Sequence, residues 1–317
     1  MIMARVAIVG SGFIGRAWAI TFARGGSEVV LWDEFKDAPG RAIDFIRDAL
    51  PDLAANDLLD GRTPDEVLGR ISVEDDLAAA VAGADHVQEN TPEQVEMKRA
   101  IFARLDALAP QHAIIASSTS AILPSAFTAD LAGRHRCLVI HPINPPYLIP
   151  AAEVVPAPWT APEVVERARA LLVAVGQAPI VMKRELDGFI MNRMQGALLE
   201  EAFRLVADGY ASAEDVDIGI REGLALRWSF MGPFETIDLN APAGIRDYVE
   251  RYQGLYENLW SQMQRRVDWG GPVLEDIERD RRARLKHTDL VRRQLWRDRR
   301  LMALAAHKRR AAKDIAD

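Results

Sequence analysis

Gly10-Ser11-Gly12-Phe13-Ile14-Gly15 stands directly after an apolar run and opens an amphipathic helical pattern, the setting in which this spacing holds a dinucleotide. Without side chains, Gly10 and Gly12 permit a tight turn and a close approach of pyrophosphate, and Gly15 lets helix and strand pack. The N–H groups that open the helix, those of Phe13 and Ile14 among them, are the anion donors. The next apolar run ends in Trp32-Asp33, and Asp33 lies 18 residues past Gly15, where a carboxylate bonds both hydroxyls of an adenosine ribose. An acid there repels a 2′-phosphate, and the nearest following arginine is Arg41, so the expected cofactor is NAD rather than NADP. A second polar group stretches from Ser117 to Glu153. Ser117-Ser118-Thr119-Ser120 follows one strand-like run, His141-Pro142-Ile143-Asn144-Pro145 follows the next, and Glu153 sits in Ala152-Glu153-Val154 beyond. In an open parallel sheet the carboxyl ends of neighbouring strands face one crevice, where the cofactor also binds, so these residues are expected to meet there.

Such placement requires βαβ units. The first half alternates short Val- and Ile-rich runs with helical patterns, and strands are expected at Ala4–Val9, Glu28–Trp32, His86–Gln88, Ala113–Ala116, Cys137–Ile140 and Ala178–Met182. Thr63-Pro64-Asp65-Glu66 and Thr160-Ala161-Pro162-Glu163 read as capping boxes with proline in the first turn. After about residue 186 the β signal stops, and helical periodicity continues with breaks at Gly209, Gly232-Pro233 and Gly270-Gly271-Pro272. A helix is expected to start there with Asp187 as N-cap and Phe189, Met194, Leu198 and Ala202 on its apolar side. The expected fold is α/β, a Rossmann-type, mostly parallel sheet domain over residues 1–186 followed by an all-helical domain over 187–317 for substrate and dimerisation.

The chain has 317 residues, 49% hydrophobic and 27% charged, a balance that fits a globular protein and excludes a disordered or membrane-embedded one. No stretch resembles a spanning helix, and Val6 to Val9 is too short for a signal-peptide core, so a cytoplasmic location is expected. The single cysteine, Cys137, cannot form an internal disulfide and is expected to pack in the core. Six dispersed histidines and one thiol offer no metal set. The net charge of −7 conceals an asymmetry: from Arg281 onward 13 Lys and Arg face 4 acids, a local +9, which leaves −16 for the rest. Leucines at 285, 290, 295, 301 and 304 are interspersed among these charges, as on the wet face of a packed helix. An acidic body also repels a phosphate backbone, so neither nucleic acid nor membrane is an expected partner.

Ser120 in its Ser-Thr-Ser turn, His141 with Asn144, Glu153 and the run Gly188-Phe189-Ile190-Met191-Asn192-Arg193 together resemble the 3-hydroxyacyl-CoA dehydrogenase superfamily, through both domains. Gln88-Glu89-Asn90-Thr91-Pro92-Glu93, the Pro146-Tyr147 that extends the histidine motif, and Trp296-Arg297-Asp298 resemble its lambda-crystallin branch, the L-gulonate 3-dehydrogenases. The resemblance implies NAD-dependent oxidation of a secondary alcohol. A base must then take the hydroxyl proton, and histidine, with an unperturbed pKa of about 6.5, is neutral at working pH yet able to hold that proton. That role falls on His141, with Glu153 fixing its tautomer and stabilising the imidazolium. Ser120 and Asn192 are implied to hydrogen-bond the reacting oxygen, which places the site in an interdomain cleft. Glu93 and Lys98 match positions that touch the nicotinamide half of the cofactor, and Ser120 and Asn144 also match cofactor contacts. The alternatives stay open at this point: Ser120 as a cap for the helix at Pro124, Asn192 bonded to backbone, and Glu93 with Lys98 as a surface pair. A homodimer is expected by resemblance.

Specificity is expected from Gly223 to Pro233, where the acyl-CoA enzymes of the family carry a shorter turn without arginine. Arg227 grips a free carboxylate bidentately, while a thioester offers it no charge; the alternative is an arginine paired to a helix acid. A small hydroxy acid of the L-gulonate type is thus the expected substrate. L-carnitine is the nearest alternative, with Trp228, Phe230, Tyr147 and Phe234 available to cage a trimethylammonium, and 3-hydroxybutyryl-CoA is the third. A protein that binds NAD without turnover is the contrasting class, and the joint presence of Ser120, His141, Glu153 and Asn192 speaks against it.

Overall fold

The computed structural model describes residues 4–315. Eight short strands pair into one sheet: β1 (Arg5–Val9), β2 (Glu28–Trp32), β3 (Ile71–Val73), β4 (His86–Glu89), β5 (Ile114–Ser117), β6 (Cys137–Pro142), β7 (Ala151–Pro156) and β8 (Ala178–Val181). Their order is β3-β2-β1-β4-β5-β6-β7-β8, and every pairing is parallel except β6 with β7. Along β1, Val6 and Ile8 enter one apolar cluster while Ala7 and Val9 enter the other. Both faces are therefore covered, which is why these strands read as continuous apolar runs instead of alternating ones. The covering helices are α1 (Phe13–Arg24), α2 (Ala38–Ala55), α3 (Pro64–Leu68), α4 (Leu77–Val81), α5 (Val95–Leu108), α6 (Pro124–Thr128) and α7 (Pro162–Ala174). Trp18 and Phe22 of α1 stack at 5.3 Å without solvent exposure. Cys137 packs in the second cluster, and burial pushes its thiol up to about 12.

Two strands escaped the sequence reading. β3 has three residues, and in β7 Glu153 interrupts the alanines and valines, although Asn144-Pro145-Pro146 and Pro150 before it are turn residues. The capping box at Thr63 forms, with Glu66 returning to the Thr63 N–H at 2.7 Å. At the second proposed box the N-cap is Ala161, because Thr160 Oγ1 is engaged elsewhere, accepting from Ala157 N and donating to Cys137 O.

By their contacts the residues form two compact units, one running through Ile190 and resuming at Trp296, the other Met191–Leu295. This division differs from the expected 186/187 boundary at both ends. Gly188 (φ +74°) and Phe189 (φ +48°) turn the chain, and Phe189 is buried in the first unit's core, so the helix begins at Met191 and not after Asp187. At the other end Met302 is buried against the first core with Leu301 and Ala305 beside it, and Arg299 and Arg309 reach Asp52 and Asp60 at 3.0 and 2.9 Å. The basic face thus belongs to a packed, solvated helix.

The second unit is helical throughout: α8 (Met191–Ala207), α9 (Ala213–Ile218), a π-helical stretch (Gly219–Leu224), α10 (Ala225–Trp228), α11 (Pro233–Asp238), α12 (Ile245–Trp260) and α13 (Pro272–Arg284), with α14 (Leu290–Asp314) starting there and ending in the first unit. Arg204 binds Arg265 O through two nitrogens, and Phe203 stacks on Trp269 at 4.7 Å. Met194 and Leu198, expected on a buried side of α8, are exposed. No described helix is long and apolar enough to cross a membrane.

Candidate active site

The glycine loop joins β1 to α1 at the carboxyl edge of the sheet. Gly10 adopts φ +91°, and a Cβ there would lie 2.9 Å from the Asn90 carbonyl carbon. A Cβ on Gly15 would meet Gly10 O at 1.9 Å, whereas one on Gly12 would enter open space. Gly12 is the N-cap of α1 and no side chain caps that turn. Phe13 is exposed and Ile14 packs on the core. Asp33, at the end of β2, accepts from Ser11 N at 2.7 Å and Ser11 Oγ at 3.1 Å through one oxygen and from Phe35 N at 3.0 Å through the other. An uncapped helix start, open space over Gly12 and a carboxylate against the loop fit a pyrophosphate and an adenosine ribose.

The catalytic candidates sit on the same edge. His141 and Glu153 face each other across the antiparallel β6–β7 pair, and His141 Nδ1 lies 2.6 Å from Glu153 Oε2. Both are buried, at 5% and 0% exposure. The other carboxylate oxygen accepts from Ile190 N at 2.7 Å, and the Phe189 ring lies 5.5 Å from the imidazole. A carboxylate held on both oxygens orients the ring through Nδ1, and an imidazole so oriented can exchange a proton with a ligand at Nε2. Asn144 is exposed after β6, on a segment pinned by Arg24 to Tyr147 O at 2.7 Å and by Gln177 to Pro146 O at 3.0 Å.

Ser120 lies on the turn after β5, which does not cap α6, since that helix has Leu123 as its N-cap. Glu93 Oε1 accepts from Ser120 N and Ala121 N, each at 3.0 Å, and from Thr119 Oγ1. Lys98 corrects an expectation. It is 1% exposed, and its ammonium donates to both oxygens of Glu89 and to Thr91 O, all at 3.0 Å. Its three donors are therefore consumed by a buried carboxylate at the end of β4, with none left for a ribose, and it does not pair with Glu93. Glu89, fully buried, also accepts from Ser117 Oγ at 2.6 Å.

Asn192 lies in the first turn of α8 and Arg227 on α10, directly after the π-helical stretch. Arg227 is exposed, 3.5 Å from Asn240 Oδ1, and no acid lies within ion-pair distance of it among the described residues. Phe230 and Phe234 are exposed. Tyr147 is not available to a ligand: it is 3% exposed in the first core, where burial raises its phenol well above the usual range, with Asp298 and Arg16 nearby. Among the described residues no cluster of three or more His, Cys, Asp or Glu is placed to hold a metal.

Sequence reasoning missed Glu89, Phe189 and the Ile190 amide. Gly188 marked a turn, but the positive φ of Phe189, after which the Ile190 amide donates to Glu153, carries no signal in the sequence.

A family model for the NAD binding domain of 3-hydroxyacyl-CoA dehydrogenase matches residues 5–185, and one for the C-terminal domain of that enzyme matches 188–271. The chain is 42% identical over 306 residues to a lambda-crystallin homolog of Bos taurus, a match that covers 96% of this chain and 95% of that one. With the L-carnitine dehydrogenase of Streptomyces griseus it shares 40% identity over 261 residues, 82% of this chain and 77% of the relative. Among solved structures, 5-formyl-3-hydroxy-2-methylpyridine 4-carboxylic acid 5-dehydrogenase, an NAD+ dependent dismutase, superposes with a TM-score of 0.81 at 29% identity, covering 97% of this chain and 98% of the other.

Proposed function

The chain belongs to the 3-hydroxyacyl-CoA dehydrogenase family, an NAD-dependent dehydrogenase of hydroxy substrates, and we propose that it oxidises the 3-hydroxyl of a small hydroxy acid of the L-gulonate type, with His141 as base. The observation that carries this reading is the 2.6 Å contact between His141 Nδ1 and Glu153 Oε2, both buried at the carboxyl edge of the sheet. Neutral His141 takes the hydroxyl proton at Nε2, and Glu153 stabilises the imidazolium at Nδ1. NAD, when bound, supplies the acceptor for the hydride that leaves the carbinol carbon. Ser120 and Asn192 are assigned to the reacting oxygen. The glycine loop, Asp33, Asn144 and Glu93 are assigned to the cofactor. Arg227 is assigned to the substrate carboxylate, supported by its lack of an acidic partner and by the ring carboxylic acid in the name of the solved relative. L-carnitine is the second reading, favoured by the exposed Phe230 and Phe234 beside Arg227 and by the carnitine dehydrogenase relative. We further propose a cytoplasmic location and a homodimer, the latter supported by the apolar side chains that α12 exposes.

The test is NADH formation with L-gulonate, L-carnitine and 3-hydroxybutyryl-CoA, using the wild-type chain and His141→Ala. Turnover of L-gulonate that falls by about 10³-fold or more in the variant is the expected result. Turnover of carnitine alone transfers the assignment to the second reading, and turnover that survives in the variant removes His141 as base. Arg227→Ala is expected to raise KM for the acid by about 10-fold or more with kcat little changed.

A further inference from the structure

The turn that follows β5 is tied to the segment that follows β4 at every residue. Ser117 Oγ donates to Glu89 and accepts from Thr119 N at 3.2 Å. Ser118 N bonds Glu89 O at 2.8 Å, and Ser118 Oγ donates to Asn90 Oδ1 at 2.7 Å while accepting from Gln88 Nε2 and from Trp18 Nε1 at 2.7 and 3.0 Å. Thr119 Oγ1, Ser120 N and Ala121 N then converge on one oxygen, Glu93 Oε1, and Thr119 Oγ1 accepts in turn from Ile122 N at 3.0 Å. The Glu89 end of this seam is charge-balanced by buried Lys98. Among the described residues no cation lies within ion-pair distance of the Glu93 end, so its charge is spread over the three donors.

We propose that Glu93 is a positioning residue for Ser120, fixing the Thr119–Ala121 turn so that the serine hydroxyl meets the reacting oxygen; this rests on the reading of Ser120 as a substrate contact. Two backbone amides and a hydroxyl meeting at one atom need an acceptor with full negative charge and the reach of a glutamate. A glutamine keeps the reach, but its neutral carbonyl accepts about half as strongly. An alanine leaves both amides to water and frees the turn. A misplacement of about 1 Å at a reacting group costs on the order of 10²-fold in rate, so the effect belongs in kcat. Glu93 is also assigned to the cofactor, so kcat is read at saturating NAD, where weaker binding does not enter it.

The experiment uses the full chain with Glu93→Gln and Glu93→Ala; Glu93 is exposed, so both variants retain the core. NAD affinity is read from quenching of tryptophan fluorescence, kcat at saturating NAD, and the protection of the Ser120 and Ala121 amides from hydrogen exchange. The expected result is kcat at saturating NAD down by about 10- to 100-fold in the alanine variant and less in the glutamine one, and exchange faster by about 10-fold or more at those two amides. A kcat at saturating NAD that stays intact, or unchanged exchange at both amides, overturns the proposal. The exchange measurement needs no substrate, so an error in the hydroxy-acid assignment, which would show as wild-type silence on every acid tried, is told apart from an error here.

Discussion

In the first unit Ile8, Trp18, Phe22 and Ile140 have no exposure and the sheet is covered on both faces, whereas α12 of the second unit has no buried residue and exposes Val249, Tyr252, Leu255, Tyr256 and Leu259 at helical spacing. Of the second unit's residues, only Arg204, Thr236, Ala241 and Val273 are buried. The chemistry follows the same division. His141, Glu153 and the glycine loop are held by strands and by bonds that leave little freedom, while Arg227 stands on a short helix in solvent. A proton-transfer pair gains from rigidity, since its geometry is set before the ligand arrives. A group that selects among ligands can be more adaptable.

The largest break of this contrast is expected from Phe22→Ala, which empties space beside Trp18 and His86 and should lower unfolding stability by about 3–5 kcal/mol in urea titration. A loss below about 1 kcal/mol would mean that the first core repacks freely. Next comes pH. Burial holds His86 down to about 4, against an ordinary value of 6.5, with Nε2 2.9 Å from Gln88 Oε1. The unfolded chain takes up this proton near pH 6.5 and the folded one only near 4, so this stabilisation is complete above pH 6.5 and declines as pH falls through that window, by about 3 kcal/mol in all. Urea midpoints measured at pH 7 and 4.5 should separate less in His86→Gln; an equal separation would assign the acid sensitivity to other groups. Leu255→Ser should have the smallest effect, within about 0.5 kcal/mol at protein concentrations low enough to keep the chain monomeric. A larger effect that grows with concentration, followed by light scattering, sharpens the contrast by revealing a second copy on α12.

What the sequence disclosed follows the distance over which each feature is encoded. The glycine loop sits directly after an apolar strand and the histidine motif closes one, so their place at the sheet edge was legible. The contact between His141 and Glu153 was not legible as geometry, because it arises from the antiparallel register of β6 and β7 in a sheet that otherwise runs parallel. Lys98 was misplaced for a related reason: Glu89 looked like part of a polar loop, and only its burial between β1 and β5 creates the demand for a cation beneath the turn. Arg227 was visible as a residue type in an unusual segment, yet the π-helical lead into its helix has no local signature.

The helical unit is spliced into the first one, which resumes only at Trp296. On the ribosome, the part of the first core that receives Met302, Leu301 and Ala305 therefore stays uncovered while more than a hundred intervening residues are made. The first unit is among the last parts to be finished, and until then its core presents an apolar flank to chaperones rather than to its own chain.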